Sequence, residues 1–374
     1  MSLAELWFIL IAVLWAGYFV LEGFDFGVGM LLPFLPKDER ERGMMFESIG
    51  PVWDGNEVWL VVAGGATFAA FPAWYASMFS GFYLALLLVL VFLIVRVLSF
   101  EWRAKSKSPR WRAVWLWCNA VGSFGAALVW GVGLSALLYG TPLDSNGDYT
   151  GTFWDLFNGY TLFAGITVVV FFAFHGAVFL TLRAGGDLGA RALKAARMLA
   201  LPAAALAAAF AILTVIVAVD RNDKNVFPPV LPAILAIGAA VLAVAFVLQG
   251  RTGRGFVATA LGAALLVATL FTSLYPRVMV SSTDFGNSLT VSNAASQHYT
   301  LAVMTVVALL VLPVVLLYQG WTYWVFRKRV SVSGGTAGTP AVPSAVPPGA
   351  AGNGSGDSVS LIGPDPAKPE TAGR

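Results

Sequence analysis

Apolar residues run along this chain in blocks of about twenty, the length a helix needs to cross a bilayer, and short polar segments separate them. Nine such blocks are predicted, at residues 3–34, 48–71, 73–100, 112–139, 159–182, 198–219, 228–249, 256–275 and 297–326. The pattern predicts an all-α polytopic membrane protein with nine transmembrane helices arranged as two four-helix bundles plus one peripheral helix. Residues 1–329 form the integral membrane domain in this reading. After Arg329 the chain turns to Gly, Pro, Ser, Ala and Val with few aromatics, so 330–374 is expected to be a disordered cytoplasmic tail.

Two of the blocks are interrupted by costly polar residues. Glu22-Gly-Phe-Asp-Phe-Gly27 and Trp53-Asp-Gly-Asn-Glu-Val-Trp59 place Glu22, Asp25, Asp54 and Glu57 inside otherwise apolar surroundings. Ionisable groups at membrane depth normally face a bundle interior or a watery cavity, and they suggest a proton or ion path. Glu22 and Asp25, like Asp54 and Glu57, are three residues apart, so each pair shares a helix face. Arg96 is the basic residue embedded in the third block and is the expected counter-charge, since a buried carboxylate without one would take up a proton. Ser48-Ile-Gly-Pro51 opens the second block. Proline suits a helix start, which puts Asp54 near a positive helix end. The structural alternative is that these acids pair with Arg96, cap a helix or bond Trp indoles.

Basic residues order the loops. Lys37, Arg40 and Arg42, then Arg103, Lys105, Lys107, Arg110 and Arg112, then Arg183, Arg191, Lys194 and Arg197, then Arg251 and Arg254, and finally Arg327, Lys328 and Arg329 fall on one side of the nine-span frame. The other side holds Arg221, Lys224 and Arg277. Because Lys and Arg gather on the cytoplasmic side, the N-terminus is placed outside and the C-terminus in the cytoplasm. At about 1.5 Å per residue, Asp25 then lies about 13 Å, Asp54 about 9 Å and Glu57 about 13 Å from the cytoplasmic ends of their spans. The two motifs meet at one depth.

Composition narrows the classes further. The chain is 58% hydrophobic and only 11% charged, against roughly 25% charged in soluble domains, and it has no soluble basic patch to hold nucleic acid. Cys118, the single cysteine, excludes an internal disulfide framework and a thiol metal site. The N-terminus lacks the basic region of a cleaved signal peptide and runs into a span too long for one, so it reads as a retained first helix. Asp144, Asp148 and Asp155 belong to a turn-rich outer loop that reads as solvated rather than metal-binding. His175 sits in Phe-Phe-Ala-Phe-His-Gly-Ala, where no second ligand is near, and reads as a hydrogen-bonded or proton-carrying group rather than a haem ligand. His298 begins the last span. No metal site is expected.

Several motifs in order carry a resemblance. Glu22-Gly-Phe-Asp-Phe-Gly-Val-Gly-Met30, Ser48-Ile-Gly-Pro-Val-Trp-Asp-Gly-Asn-Glu-Val-Trp59, Ala63-Gly-Gly-Ala-Thr-Phe-Ala-Ala-Phe-Pro72 and Ser80-Gly-Phe-Tyr83 resemble subunit II of cytochrome bd quinol oxidase. Ser281-Ser-Thr283 and Leu312-Pro-Val-Val-Leu-Leu-Tyr-Gln-Gly-Trp321 are similar to that family too, while the middle of the chain matches mainly by topology. The resemblance implies a heterodimeric terminal oxidase of the bacterial cell membrane that oxidises membrane quinol and reduces O2 to water. Subunit I would carry two b haems, one d haem and the quinol site. Subunit II would be haem-free and would supply structural support and acids for proton uptake from the cytoplasm. Small accessory subunits, membrane lipid and a structural quinone are further expected company.

Carried over by position, Asp25 and Asp54 match family carboxylates. Glu22 stands where relatives often have Asp, and Glu57 where some have Gln. The expected proton path is therefore ranked Asp54 and Asp25 first, then Glu22, then Glu57, with Arg96 as counter-charge. Protons drawn from inside while quinol releases its own outside would build membrane potential. The competing function is a proton- or ion-coupled secondary transporter, whose interrupted helices would recur at mid-membrane in matching halves. The acids here crowd into the first two spans.

Overall fold

The computed structural model describes residues 1–330. Helix accounts for nearly all of the regular structure, as lipid requires, because a helix satisfies its backbone hydrogen bonds within one segment. The helices are α1 (Leu3–Leu31), α2 (Glu39–Ile49), α3 (Trp53–Ala70), α4 (Pro72–Gly81), α5 (Tyr83–Trp102), α6 (Pro109–Tyr139), α7 (Gly159–Arg183), α8 (Gly186–Asn222), α9 (Phe227–Leu248), α10 (Thr252–Leu274) and α11 (His298–Val325). A two-stranded ribbon, β1 (Arg277–Met279) and β2 (Leu289–Thr290), lies in the loop before α11.

Eight helices among the described residues are long and apolar enough to cross a membrane. The expected second span is the exception: α3 has 18 residues, and its first turns carry Asp54, Asn56 and Glu57. Two further elements depart from expectation. Pro72 stands at the expected boundary, where it opens α4 at its first position, but the expected third span is itself divided at Phe82 into the ten-residue α4 and α5. The segment Glu39–Ile49 folds as α2, which the apolar pattern missed. Its N-cap Asp38 accepts from the Glu41 N–H, the usual way a short polar helix satisfies its first turn.

α2 is tied down by Glu41, which accepts from the Lys37 N–H at 2.6 Å and pairs with Arg191 on α8. Partial burial raises the Glu41 carboxyl, but the Lys37 and Arg191 hydrogen bonds outweigh it and hold it below its ordinary value.

α1 is the central element. It packs against α3 and α6 on one side and α7 and α10 on the other, and Glu22 through Leu31 is a continuous buried stretch. Against α7 the approach is backbone to backbone: a Cβ on Gly27 would lie 1.9 Å from the Phe172 carbonyl, and one on Gly176 would lie 2.4 Å from the Gly27 carbonyl carbon. Small residues permit such close crossings in lipid. The same device seats α5 on α6, where a Cβ on Gly122 would meet the Phe92 carbonyl at 2.6 Å and the Arg96 Cβ at 3.0 Å. That close approach brings Arg96 inside the protein.

α11 differs from the others. Only Leu301 of its residues is buried, and Leu309, Leu310, Val314, Leu317 and Trp321 are exposed. Val330 pairs with Ala184. The remainder of the expected tail, 331–374, lies outside the described residues.

Candidate functional site

Glu22 and Asp25 on α1 and Arg96 on α5 are all completely buried. A Glu22 Oε1 lies 2.7 Å from Arg96 Nη1, so the counter-charge expected from the sequence is in contact. Beyond the contacts with Glu22 and Glu57, the guanidinium nitrogens of Arg96 have no hydrogen-bond partner among the described residues, and Glu22 has only Arg96 and the Asp25 carboxyl. The guanidinium instead sits 5.0 Å over the Phe26 ring and 5.7 Å over Phe100, contacts that favour a cation without consuming its donors.

Glu57 reaches the same cation from α3, 4.0 Å from Arg96, with 20% of its side chain exposed. Asp54, one turn earlier in the first turn of α3, is exposed, and its side chain makes no hydrogen bond or ion pair among the described residues. Three of the four motif acids thus gather with Arg96. The fourth acid, ranked first from sequence, stands outside this group because the start of α3 leaves its face uncovered. From Asp54 through Glu57 to Arg96, Glu22 and Asp25, the charges pass from exposed to fully buried.

Buried polar atoms are almost always hydrogen-bonded, to protein or to ordered water. Here several are short of partners among the described residues: the guanidinium of Arg96 has only its ion pairs, Glu22 and Asp25 have each other beside Arg96 and Asn56, and the Tyr18 hydroxyl has only the Trp130 indole. Tyr18 is one turn before Glu22 on α1, and its ring meets Trp130 edge to face at 6.2 Å. Donors and acceptors this short of partners make a polar environment suited to internal water.

Sequence reasoning missed Asn56. It is completely buried, and its amide nitrogen donates to Asp25 Oδ2 at 2.6 Å and to the Leu21 carbonyl at 3.2 Å. Its amide oxygen accepts from Gln319 Nε2 at 3.1 Å and from the Tyr323 hydroxyl at 2.7 Å. The available signal was an amide at membrane depth beside two acids. Gln319 and Tyr323 carried none, since they lie 263 and 267 residues away in the chain.

His175 is buried on the opposite side of α1. Its Nε2 lies 3.1 Å from the Val20 carbonyl and its Nδ1 2.7 Å from the Thr259 hydroxyl, and the ring stacks on Phe256 at 4.9 Å. A carbonyl can only accept, so Nε2 carries a proton. Both ring nitrogens are spoken for within the chain, and His298 is exposed at the start of α11. The histidines of this chain thus do not fit buried axial ligation of a haem. No group of three or more His, Cys, Asp or Glu suited to a metal ion exists among the described residues.

The family model for cytochrome bd terminal oxidase subunit II matches residues 3–326. The chain is 43% identical to the Bacillus subtilis cytochrome bd ubiquinol oxidase subunit 2, over 88% of this chain and 97% of that one. It is 37% identical to the Escherichia coli K12 cytochrome bd-I ubiquinol oxidase subunit 2, over 87% and 94%. The structure of bd oxidase from Geobacillus thermodenitrificans shares the fold, with a TM-score of 0.69 at 18% identity, covering 88% of this chain and 100% of that one. Matched by the family model over residues 3–326 and by relatives at 37–43% identity along most of its length, this multi-pass membrane chain belongs to the cytochrome bd terminal oxidase subunit II family.

Proposed function

We propose that this chain is the haem-free half of a quinol oxidase of the bacterial cell membrane. It pairs with a subunit I that carries two b haems, one d haem and the quinol site, and the complex reduces O2 to water. The chain spans the membrane nine times with its N-terminus outside and its C-terminus in the cytoplasm, and α3 is the polar second span. Its own chemistry is proton delivery. Asp54 is the mouth on the cytoplasmic side, Glu57 the first sheltered acid, and Glu22 with Asp25 the buried acceptors; Arg96 keeps a negative charge tolerable at that depth. Internal water joins these groups and passes protons towards the partner, where the haems supply the redox chemistry.

The observation that carries this reading is the buried Glu22, Asp25 and Arg96 group with its scarce hydrogen-bond partners, joined through half-buried Glu57 to exposed Asp54. A purely structural ion pair would be expected to spend its hydrogen bonds on the protein, because burying charges without partners costs several kcal/mol or more. The assembled complex, purified through this chain, should show haem absorbance and quinol-dependent oxygen consumption. Asp25→Asn should retain the spectrum and lose most of the turnover. A complex without haem absorbance, or an Asp25→Asn complex with full turnover, refutes the proposal.

A further inference from the structure

Asn56 spends every hydrogen bond it can make. An amide offers two N–H donors and two acceptor lone pairs, and here both donors go to α1 while both lone pairs are taken by α11. The amide cannot be turned over, because its oxygen would then face the Leu21 carbonyl and the Asp25 carboxylate. Gln319 is fixed by the same logic: its nitrogen donates to Asn56 and its oxygen accepts from the Trp59 indole at 3.3 Å. The donors therefore all point one way, from Tyr323 and Gln319 on α11, through the Asn56 amide on α3, to Asp25 on α1. Hydrogen bonds in series polarise one another, so donation into the Asn56 oxygen strengthens its N–H towards the carboxylate.

The consequence for Asp25 is asymmetric. Its Oδ2 is locked by Asn56 at 2.6 Å, whereas its Oδ1 has no donor from Asn56 or Arg96 and only the neighbouring Glu22 carboxyl beside it. One oxygen is held, and the other is left to exchange a proton. α11 supplies this lock although it packs little: among the described residues its helical span is tied to the bundle by Leu301 packing, by Trp7 to the Leu301 carbonyl and Thr305, and by Gln319 and Tyr323, with Arg183 holding the Phe326 carbonyl at its C-terminal end.

We infer that Asn56 is a positioning residue which, with Tyr323 and Gln319, forms a latch by which the last helix sets the proton-exchanging geometry of Asp25. The inference rests on the proton-delivery reading above and assigns to α11 a part in it. Whatever covers the exposed outer face of α11 then bears on Asp25 through two hydrogen bonds.

Tyr323→Phe is the cleanest test, since it removes one hydroxyl and leaves the ring, with Gln319→Leu as a second variant should the first fail to assemble. Both are made in the assembled oxidase beside Asp25→Asn, and two readouts are taken: the pH profile of quinol-driven oxygen consumption, and pH-induced infrared difference spectra in which the carboxyl band missing from Asp25→Asn is assigned to Asp25. Loss of one hydrogen bond to a network serving a charged group should displace the profile by roughly half a unit to one unit and slow turnover about threefold to tenfold, with the Asp25 band shifted and the haem spectrum unchanged. If Asp25→Asn is slow while Tyr323→Phe moves neither profile nor band, the latch is refuted and proton delivery survives. If Asp25→Asn turns over normally, proton delivery is refuted and the latch, which rests on it, is refuted with it, whatever the band shows.

Discussion

The two sides of α1 solve the same problem in opposite ways. Towards α7 and α10 the helix is in backbone contact at Gly27 and Gly176, and the titratable group there, His175, has both nitrogens satisfied and a ring stacked on Phe256. Towards α3 and α5 it presents Glu22 and Asp25 to Arg96, and these three have few partners beyond one another, Glu57 and Asn56. One side is apolar, with its titratable group satisfied. The other keeps unspent hydrogen-bonding capacity at the same depth, which is what a group that must gain and lose protons needs and what a purely structural contact avoids. The difference between them is hydrogen-bond satisfaction rather than burial, since all four of these side chains are completely buried.

The comparison can be broken first on its apolar side. Gly27→Leu places a side chain where even a Cβ would lie 1.9 Å from the Phe172 carbonyl, and backbone cannot yield as a flexible side chain could. No assembled complex is expected, measured as loss of haem absorbance from the material purified through this chain. A folded, active Gly27→Leu complex would mean that the α1 and α7 crossing is looser than described.

On the polar side, Arg96→Met removes the cation from between Glu22 and Glu57. Stranding a buried carboxylate typically costs about 3–5 kcal/mol, so the variant should unfold at clearly lower temperature. Adding Glu22→Gln should recover part of the loss, because the charge that was stranded is then gone. Absence of any recovery in the double variant would show that Arg96 acts by packing on Phe26 and Phe100 instead.

A smaller effect is expected back on the apolar side. His175→Phe deletes hydrogen bonds to Val20 and Thr259, while the Thr259 hydroxyl keeps the Phe256 carbonyl and the Val20 carbonyl its place in α1, a loss of about 0.5–1.5 kcal/mol per bond. Thermal stability should fall while the haem spectrum and the pH profile of turnover stay as they were. A changed haem spectrum would return His175 to consideration as a ligand.

The smallest effect belongs to Asp54. Exposed and without a side-chain partner among the described residues, it can be replaced by Asn without measurable change in stability. Oxygen consumption should slow by less than in Asp25→Asn, since water can replace an exposed mouth but not a buried acceptor. Equal slowing in the two variants would make Asp54 an obligatory station.

How much of this could be read from the chain depends on the kind of signal. The membrane class, the motif acids and Arg96 as their counter-charge were legible, because each is a polar residue in an apolar block and carries a cost. The boundary at Pro72 was legible, whereas two others were not: α2 at Glu39–Ile49 has too little apolar pattern and read as a loop, and the division of the third span at Phe82 falls inside one apolar run. The face of Asp54 was misjudged because three-residue spacing fixes which residues share a face and leaves open whether a neighbour covers it. Asn56 stood in plain view inside a motif, yet its importance lies in partners on α11, and pairings across more than 260 residues leave no trace in local pattern.

The central claim is that Glu22 and its neighbours carry protons, and Glu22→Gln tests it most directly, since it keeps shape and removes only the titrating charge. Proton uptake should be followed in the assembled oxidase in vesicles during a single turnover with O2, beside the haem spectrum. The account predicts an unaltered spectrum with proton uptake slowed at least tenfold, as expected when a positioned proton-transfer group worth about 10²–10⁴-fold is lost. Uptake at the wild-type rate in a fully assembled Glu22→Gln complex would contradict it and leave the Glu22 and Arg96 pair as a structural bridge.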